Sequence, residues 1–239
     1  MSSDSLEVAR KVDVIVPAFR EARTIRHALD RMVNVFNQAW PNSYKIFVVT
    51  DGSDDGTPDV VRNLGLPNVE VIECEINRGK GAALRVGMLQ SRAEIVGQLD
   101  ADLDLHPETL VGLIDILQDR QLSAVVGSKS HPRSEVGYPF RRRVLSKGYQ
   151  VLVSMLFGLS VTDTQAGAKA FRGQALRQAL PNVTEQGFVF DLDLLKELHR
   201  HKCSIGEGPI QLDYQFDSSI RLVDVHRMLL ETLRVWRKG

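Results

Sequence analysis

The stretch VDVIVPAFREARTIRHALDRMVNVF, residues 12–36, sets the pattern that decides the fold. It opens with a short β-branched run at residues 12–16, stopped by Pro17, which is typical of a buried strand. Apolar residues then recur at helical spacing from Ile25 to Phe36, with Thr24 as a candidate N-cap. The stretch therefore predicts a strand followed by an amphipathic helix.

The same alternation of strand and helix signals continues through the first half of the chain. Further strands are predicted at residues 46–49, 69–72, 95–99 and 124–127, and helices at 57–65 (with Thr57 as N-cap), 82–89 and 107–117. Repeated strand-helix-strand units predict an α/β fold in one domain, with a mostly parallel sheet flanked by helices. Signals beyond residue 130 are mixed, and no linker or internal repeat divides the chain.

The composition narrows the choice of partner and compartment. The 239 residues carry 30 basic and 30 acidic side chains, so the overall charge does not attract nucleic acid. Cys74 and Cys203 fit a reducing compartment without a disulfide framework. Residues 1–11 lack the apolar run of a signal peptide, and no stretch approaches the roughly 20 apolar residues that span a bilayer. We expect a cytoplasmic protein that touches a membrane only at its surface; no feature specifies its oligomeric state.

Three acidic residues follow the strand predicted at 95–99. Asp100, Asp102 and Asp104 lie so close together that their carboxylates repel each other unless a cation neutralises them. Oxygen ligands favour Mg²⁺ or Mn²⁺, which also bridges the phosphates of a nucleoside diphosphate. The alternative is a solvated acidic turn before the helix at Pro107. Ligands of parallel sheets bind beyond the carboxyl ends of the strands, and this placement favours the cation site.

Two glycine-containing segments lie at comparable positions. Residues 51–57, DGSDDGT, follow a strand, and their carboxylates offer acceptors to ribose hydroxyls or base nitrogens. The alternative there is an Asx-type turn that caps a helix. Residues 77–81, NRGKG, precede a helix whose free amides, together with Arg78 and Lys80, could hold an anion.

Four segments taken together resemble the catalytic domain of family 2 glycosyltransferases. They are VPAFRE at 16–21, DGSDDGT at 51–57, NRGKG at 77–81 and LDADL at 99–103. The resemblance implies a Rossmann-like fold of the GT-A type over residues 12–221. It also implies a nucleotide pocket and a divalent cation beside the diphosphate. The residues expected in the pocket are Pro17, Phe19, Glu21, Asp51 and Ser53, and those facing the Mg²⁺ or Mn²⁺ are Asp100, Asp102 and Asp104.

The second half resembles dolichyl-phosphate mannose synthases and dolichyl-phosphate glucosyltransferases. Gly-Ser-Lys at 127–129 followed by RRVLS at 142–146 matches their acceptor motif. The resemblance implies that Lys129, Arg142 and Ser146 grip the lipid phosphate, as two charges and a hydroxyl would. The segment DTQAGAK at 163–169 is nearer the glucosyl branch. It adds Asp163 and Lys169 to the expected ligand-binding residues.

This sequence departs from the family pattern at several positions. Arg20 stands where the family has asparagine, and Thr50 replaces an acidic residue, so both GDP- and UDP-hexoses stay open as donors. Ala168 replaces an aromatic residue of the sugar pocket. The closing loop near residues 215–221 keeps Arg221 as its one cation, and this residue is expected to reach the donor phosphates.

The predicted organisation has a tail at residues 1–11, a nucleotide-sugar-binding half at 12–127 and an acceptor-binding half at 128–221. Residues 222–239 are predicted to form an amphipathic helix, with one apolar stripe made of Leu222, Val225, Met228 or Leu229, Leu233 and Trp236. Such a helix suits an anionic membrane surface, and packing on the core is the alternative.

These features predict an inverting glycosyltransferase that moves mannose or glucose from a nucleotide sugar to a polyprenyl phosphate. A phosphate acceptor is already ionised, so Asp102, Lys80 and Arg78 are expected to act by positioning and by stabilising the departing diphosphate. One alternative is a polysaccharide, a protein or a phosphorylated metabolite as acceptor. Another is a non-catalytic nucleotide-binding module on the same fold. A nucleotidyltransferase is disfavoured because residues 17–21 are not a glycine-rich, lysine-bearing loop.

Overall fold

The computed structural model describes residues 11–136, 148, 152–153, 155–187, 189–212 and 222–237. The strands are β1 (Val12–Ala18), β2 (Tyr44–Asp51), β3 (Val69–Cys74), β4 (Ile95–Gln98), β5 (Ala124–Ser128), β6 (Glu135–Val136), β7 (Lys169–Arg172), β8 (Ile205–Pro209) and β9 (Gln211–Leu212). The helices are α1 (Ile25–Ala39), α2 (Thr57–Asn63), α3 (Lys80–Gln90), α4 (Pro107–Asp119), α5 (Gly173–Ala179), α6 (Phe190–Arg200) and α7 (Leu222–Arg237), and a 3₁₀ turn covers Leu180–Asn182.

One seven-stranded sheet forms the centre of the molecule, in the order β3-β2-β1-β4-β7-β5-β8. Strands β1 to β4 pair in parallel, as do β5 and β8. Strand β7 lies antiparallel between β4 and β5, so the two predicted halves of the chain share one sheet. The predicted mostly parallel α/β sheet is confirmed. Strands β6 and β9 pair with each other in a separate two-stranded sheet.

The strands are buried on both faces, which explains their nearly continuous apolar sequences. Successive side chains of a strand point to opposite faces, and Val14 and Ile15 of β1 accordingly enter different core clusters. The first cluster contains apolar residues of α1 and α4, and the second contains those of α3 and α6. Helices on both faces leave the ends of the strands as the open part of the sheet.

Pro17 does not stop the first strand, contrary to the prediction. It pairs in register with Val49 of β2, and β1 continues to Ala18. Strand β4 pairs only with residues 12–15 of β1, so from residue 16 onward the ladder has a partner on one side. Proline is tolerated where one side of a strand needs no hydrogen bond.

Neither of the two threonines predicted as N-caps, Thr24 and Thr57, caps its helix through its side chain. Thr24 occupies the N-cap position of α1, but its hydroxyl donates to the Glu21 carbonyl oxygen at 3.3 Å and makes no cap. The N-cap of α2 is Gly56, in the left-handed region at φ 83°, and Thr57 is the first helical residue. Thr57 is instead fully buried and accepts a hydrogen bond at 2.9 Å from the Glu21 amide, so it ties the segment after β1 to the start of α2.

The predicted C-terminal helix is present as α7, and part of it packs on the protein. Thr232 and Val235 are buried, and the Lys196 ammonium of α6 donates to the Val235 carbonyl oxygen at 3.3 Å. Leu233 and Trp236 on the other side are exposed. The side chains of residues 222–229, which complete the predicted stripe, lie outside the described ones. No helix in the described part of the chain has the length and apolar character needed to cross a bilayer.

Candidate active site

A cavity of about 370 Å³ lies where β1, β2 and β4 end. The segments that line it come from four places that the sequence analysis singled out: the end of β1, the end of β2, the start of α3 and the residues after β4. The lining residues are Pro17, Ala18, Phe19, Glu21, Asp51, Asn77, Gly79, Lys80, Ala83, Asp100, Ala101 and Asp102. Its volume is in the range of small-molecule sites.

Asp51 organises the loop that begins α3. Its carboxylate accepts hydrogen bonds from the backbone amides of Arg78, at 3.0 Å, and Gly79, at 2.7 Å. The side chain is nearly buried, and both of its oxygens accept hydrogen bonds from this loop. The structure therefore gives Asp51 a backbone-anchoring contact at the edge of the cavity that it lines, and its contact with a nucleotide stays a prediction. The hydrogen bond from Arg78 to Asp51 is made by the backbone amide and not by the guanidinium.

The turn after Asp51 brings two loops into direct contact. Gly52 has φ 66°, and a Cβ there would lie 2.4 Å from the Asn77 amide nitrogen, so only glycine fits. Ser53 does not line the cavity; its hydroxyl accepts a hydrogen bond from the Arg20 amide at 3.2 Å. The Arg20 side chain pairs with Asp54 at 2.7 Å. The departure at Arg20 thus adds a link between the loops after β1 and β2.

Lys80 and Asp100 form an ion pair across the cavity wall. The Lys80 ammonium lies 2.6 Å from one carboxylate oxygen of Asp100 and 2.7 Å from the other. Burial lowers the pKa of Lys80, but the charges of Asp100 and Asp191 act more strongly together, and its pKa is raised. Lys80 is therefore a permanent cation at the position where the cavity is most acidic.

The three clustered aspartates repel one another. Burial, followed by the charge of Asp100, raises the pKa of Asp102 to about 6, although a hydrogen bond from the Asp104 amide partly opposes this. The pKa of Asp104 is also raised, by burial and by Asp100. The Asp102 carboxylate accepts the Asp104 amide at 3.0 Å while Asp100 faces Lys80. Among the described residues, no three His, Cys, Asp or Glu side chains converge as a formed metal site.

Two residues predicted to bind ligands, Lys129 and Asp163, contact each other. The Lys129 ammonium lies 3.0 Å from the Asp163 carboxylate, which also accepts the Lys129 amide at 3.3 Å. Asp163 is buried, whereas the Lys129 side chain is 27% exposed. Lys129 is thus within reach of solvent and is neutralised by its neighbour. Arg142, Ser146 and Arg221 lie outside the described residues.

Lys169 lies in the interior, below the cavity. It has no exposed surface, and its ammonium donates to the Ala166 carbonyl oxygen at 2.6 Å and pairs with Asp191 at 3.1 Å. This placement corrects the expectation that Lys169 touches a ligand. The physical reason is that Lys169 is paired on both sides, with Gln98 of β4 and Val126 of β5, in the middle of the sheet.

Sequence comparison identifies the family. The model of glycosyl transferase family 2 matches residues 13–180. A dolichyl-phosphate beta-glucosyltransferase of Drosophila melanogaster is 32% identical over 224 residues, which cover 87% of this chain and 68% of the relative. The chain belongs to glycosyl transferase family 2. It is therefore a glycosyltransferase of the hexosyltransferase kind, and the predicted family is confirmed.

Further known proteins extend the likeness. A dolichyl-phosphate beta-glucosyltransferase of Trichomonas vaginalis is 28% identical over 233 residues, with 92% of this chain and 69% of the relative covered. A crystal structure of glucosyl-3-phosphoglycerate synthase from Mycobacterium tuberculosis, in complex with Mn²⁺, UDP-glucose and phosphoglyceric acid, superposes with a TM-score of 0.68. It is 17% identical, over 95% of this chain and 78% of the other. The superposition confirms the GT-A fold expected for a family 2 enzyme.

Asn77, Gln98 and Asp191 belong to the site of this family 2 enzyme but were not given a role from the sequence. Asn77 lines the cavity, and the Gln98 amide donates to the buried Asp191 carboxylate at 3.3 Å. A signal for Gln98 was present, because it is the one polar residue in the apolar run 95–99. Asp191 likewise follows an apolar pair, Val189 and Phe190, at the start of a helix. A polar residue in a buried context usually has a specific partner.

Proposed function

We propose that this chain transfers glucose from UDP-glucose to a polyprenyl phosphate of the dolichyl type, with the help of a divalent cation. The observation that carries the proposal is its 32% identity to a protein named dolichyl-phosphate beta-glucosyltransferase over 87% of this chain. The described part of the site has features that support the proposal: a cavity of small-molecule size, an acidic cluster and a lysine paired with that cluster. The DTQAGAK segment is consistent with glucose rather than mannose as the sugar.

The cavity suits a nucleoside diphosphate. Phe19 is 42% exposed and lines the wall beside Pro17, so its ring can stack on a nucleobase. Gly79 and Lys80 line the same space at the start of α3, where the Lys80 ammonium can stabilise phosphate charge. We place the base beside Phe19 and the diphosphate between Lys80 and the acidic cluster.

The ligand chemistry of the acidic residues suits a hard divalent cation. Their ligand atoms are carboxylate oxygens, and burial followed by the charge of Asp100 raises the pKa of Asp102, so a bound cation would stabilise its ionised form. Asp100, Asp102 and Asp104 would hold Mn²⁺ or Mg²⁺, with Lys80 sharing Asp100. A bound cation of this kind supplies Lewis-acid stabilisation of the diphosphate as the sugar leaves.

The chain's own residues act by positioning. A phosphate oxygen of the acceptor forms a bond to the anomeric carbon of glucose as the bond from that carbon to the UDP oxygen breaks, with inversion. The acceptor oxygen is already ionised near neutral pH, so no base has to remove a proton. Lys80 stabilises the departing diphosphate, and Lys129 turns from Asp163 to the acceptor phosphate.

The function is tested by direct transfer assays with a short polyprenyl phosphate. With Mn²⁺, UDP-glucose is expected to give glucosyl phosphopolyprenol, whereas GDP-mannose gives at least about tenfold less product. A water-soluble acceptor such as 3-phosphoglycerate is expected to give none. If glucose is transferred to 3-phosphoglycerate but not to the polyprenyl phosphate, the acceptor is a phosphorylated metabolite. If UDP-glucose binds without turnover, the result favours a non-catalytic nucleotide-binding module.

Binding of Mn²⁺ is expected to weaken in acid. Burial and the charge of Asp100 hold the pKa of Asp102 at about 6 in the metal-free protein, so a proton competes with the cation below that pH. The Mn²⁺ affinity should fall by roughly tenfold for each pH unit below 6 and level off above about 7. Calorimetric titration of Mn²⁺ from pH 5 to pH 8 measures this. An affinity that does not change across the range contradicts the assignment of Asp102 as a ligand.

We propose that the exposed side of α7 rests on the cytoplasmic face of an anionic membrane. Leu230, Leu233 and Trp236 are exposed there, and Arg234 and Arg237 lie among them on the same side. Apolar and aromatic side chains that alternate with arginines are typical of helices at the lipid surface. The contact would bring the site to its lipid acceptor.

Replacing Leu233 and Trp236 together with glutamine is expected to reduce binding to anionic vesicles by at least about tenfold, because two exposed apolar side chains no longer enter the lipid. Cosedimentation with phosphatidylserine vesicles measures the loss. The matched control is Leu89→Gln, which changes an equally exposed leucine at the end of α3 and should leave vesicle binding unchanged. Equal binding by wild type and the double variant would exclude this face.

A further inference from the structure

Lys169 has no exposed surface and lies in the interior next to the candidate active site. The ammonium of Lys169 has two described partners, the Ala166 carbonyl oxygen at 2.6 Å and an Asp191 carboxylate oxygen at 3.1 Å. Asp191 in turn accepts from the Gln98 amide at 3.3 Å. A buried ion pair is seldom more stable than two apolar side chains of similar size. The charge of Lys169 therefore calls for a reason other than stability.

The sheet topology explains how Lys169 reaches this place. Strand β7 is antiparallel to its neighbours β4 and β5. Its first residue, Lys169, therefore lies beside Gln98, where β4 ends and the acidic segment begins. A parallel strand would have brought its last residue to this edge. The reversal places the turn that precedes β7 next to the acidic segment, with Gly167 against Asp100.

The two partners of Lys169, Ala166 and Asp191, are each next to a residue that packs near the Lys80–Asp100 ion pair. Ala166 is followed by Gly167, which packs so closely on Asp100 that a Cβ would lie 2.2 Å from its carboxylate oxygen. On the other side, Phe190, which precedes Asp191, packs on Gly81, which follows Lys80, so closely that a Cβ at Gly81 would lie 2.4 Å from the Phe190 Cβ. The charge of Asp191 also contributes to the raised pKa of Lys80. One buried ammonium thus fixes the turn behind Asp100 and the carboxylate behind Lys80.

We propose that Lys169 is a positioning residue for the donor site: through Ala166 and Asp191 it holds Asp100 and Lys80 in the arrangement that receives a cation and a diphosphate. The inference rests on the proposed function for the identity of that ligand. Lys169 itself touches neither the cation nor the nucleotide. Its charge orders two contacts that a neutral side chain of equal length cannot order.

The test compares Lys169→Met with Lys169→Arg in the full chain. Methionine keeps the length of the side chain but removes the charge, and arginine keeps the charge and the donors. We expect Lys169→Met to bind Mn²⁺, and UDP-glucose in the presence of Mn²⁺, at least about tenfold more weakly by calorimetry. Its kcat should fall by roughly 100-fold, with the acceptor KM within about twofold of wild type. Lys169→Arg should recover most of both losses.

A purely structural role is separated by stability controls. Lys169→Met leaves Asp191 buried without its cation and is expected to lower the Tm by roughly 10 °C. The double variant Lys169→Met/Asp191→Asn has no unpaired buried charge, so its Tm should return while the weak Mn²⁺ binding persists. Ser91→Ala removes a buried hydrogen bond to Asp13 of 2.7 Å at the opposite end of the sheet. It should lower the Tm without changing either affinity.

Wild-type Mn²⁺ and UDP-glucose affinities in either Lys169→Met or the double variant would overturn the proposal. So would an equal loss of affinity in Ser91→Ala. Wild-type binding is measured first and without acceptor. A wild-type protein that binds Mn²⁺ but not UDP-glucose would count against the proposed donor. The Mn²⁺ affinities of the variants would still decide the role of Lys169.

Discussion

Replacing Asp102 with asparagine is expected to abolish sugar transfer while making the metal-free protein more stable. Asparagine keeps the shape of the side chain but removes the charge that a divalent cation needs. Loss of one ligand and of its charge should lower kcat/KM by about 1000-fold or more. The same change removes a charge that is unfavourable in the metal-free protein, because burial followed by the charge of Asp100 raises the pKa of Asp102 to about 6.

Asp102→Asn is expected to increase the free energy of unfolding of the metal-free protein at neutral pH. The folded-state pKa of Asp102 lies above its unfolded value, so ionisation costs stability, and the cost grows as pH rises from about 4 to about 6. Asp102 is exposed to the cavity, so solvent screening limits the gain to roughly 1 kcal/mol at pH 7. The Tm should rise by about 2–4 °C at pH 7 without metal and not at all near pH 4.

Thermal denaturation with and without Mn²⁺ tests both parts of this prediction. Mn²⁺ should raise the Tm of wild type and leave that of Asp102→Asn unchanged, because a ligand stabilises only a protein that binds it. The control is Asp115→Asn in α4, where burial followed by the charge of Asp119 also raises the pKa of a carboxylate. This variant should keep full activity. A normal Mn²⁺ response in Asp102→Asn would remove Asp102 from the cation site.

Gly167→Ala is expected to lower kcat/KM by about 100-fold while the protein remains folded. A Cβ at this position would lie 2.2 Å from the Asp100 carboxylate oxygen and 2.7 Å from the carbon that bears it. The backbone of Gly167 is not in the left-handed region, so the conflict is with the Asp100 side chain alone. Asp100 has to rotate, and it then leaves Lys80 and the proposed cation position.

The matched control is Gly112→Ala in α4. A Cβ at Gly112 would have no heavy atom within 4 Å among the described residues outside its own helical turn, so alanine has room there. It should raise stability by roughly 0.5–1 kcal/mol through its helix propensity and leave transfer unchanged. Steady-state kinetics and denaturation of both variants measure the difference. A Gly167→Ala enzyme as active as wild type would show that the position of Asp100 is not critical.

The sequence predicted the first half of the sheet because its strands are continuous apolar runs that need no distant partner to be recognised. Residues 12–16 and 46–49 are examples, and both lie inside observed strands. The gathering of Asp51, Lys80 and Asp100 in one place followed from the parallel order, since the carboxyl ends of parallel strands meet at one edge. This edge is where the cavity lies.

What the sequence did not predict depends on contacts between distant segments. Strand β7 has four residues, KAFR, too few to show any periodicity, and its place between β4 and β5 is a tertiary outcome. Lys169 is buried because β7 lies between β4 and β5. The contacts of Asp51 with backbone amides were also hidden, because a sequence pattern gives the side chain but not the backbone group that it meets.

The late position of β7 in the chain has a consequence for folding. Its partner β4 is complete about 70 residues earlier, so the gap beside β4 stays open until residues 169–172 leave the ribosome. Loop-closure entropy has to be overcome before this strand docks, and docking should limit the folding rate. Chains that stop before residue 169 would expose the edges of β4 and β5 to other strands, and we expect them to aggregate.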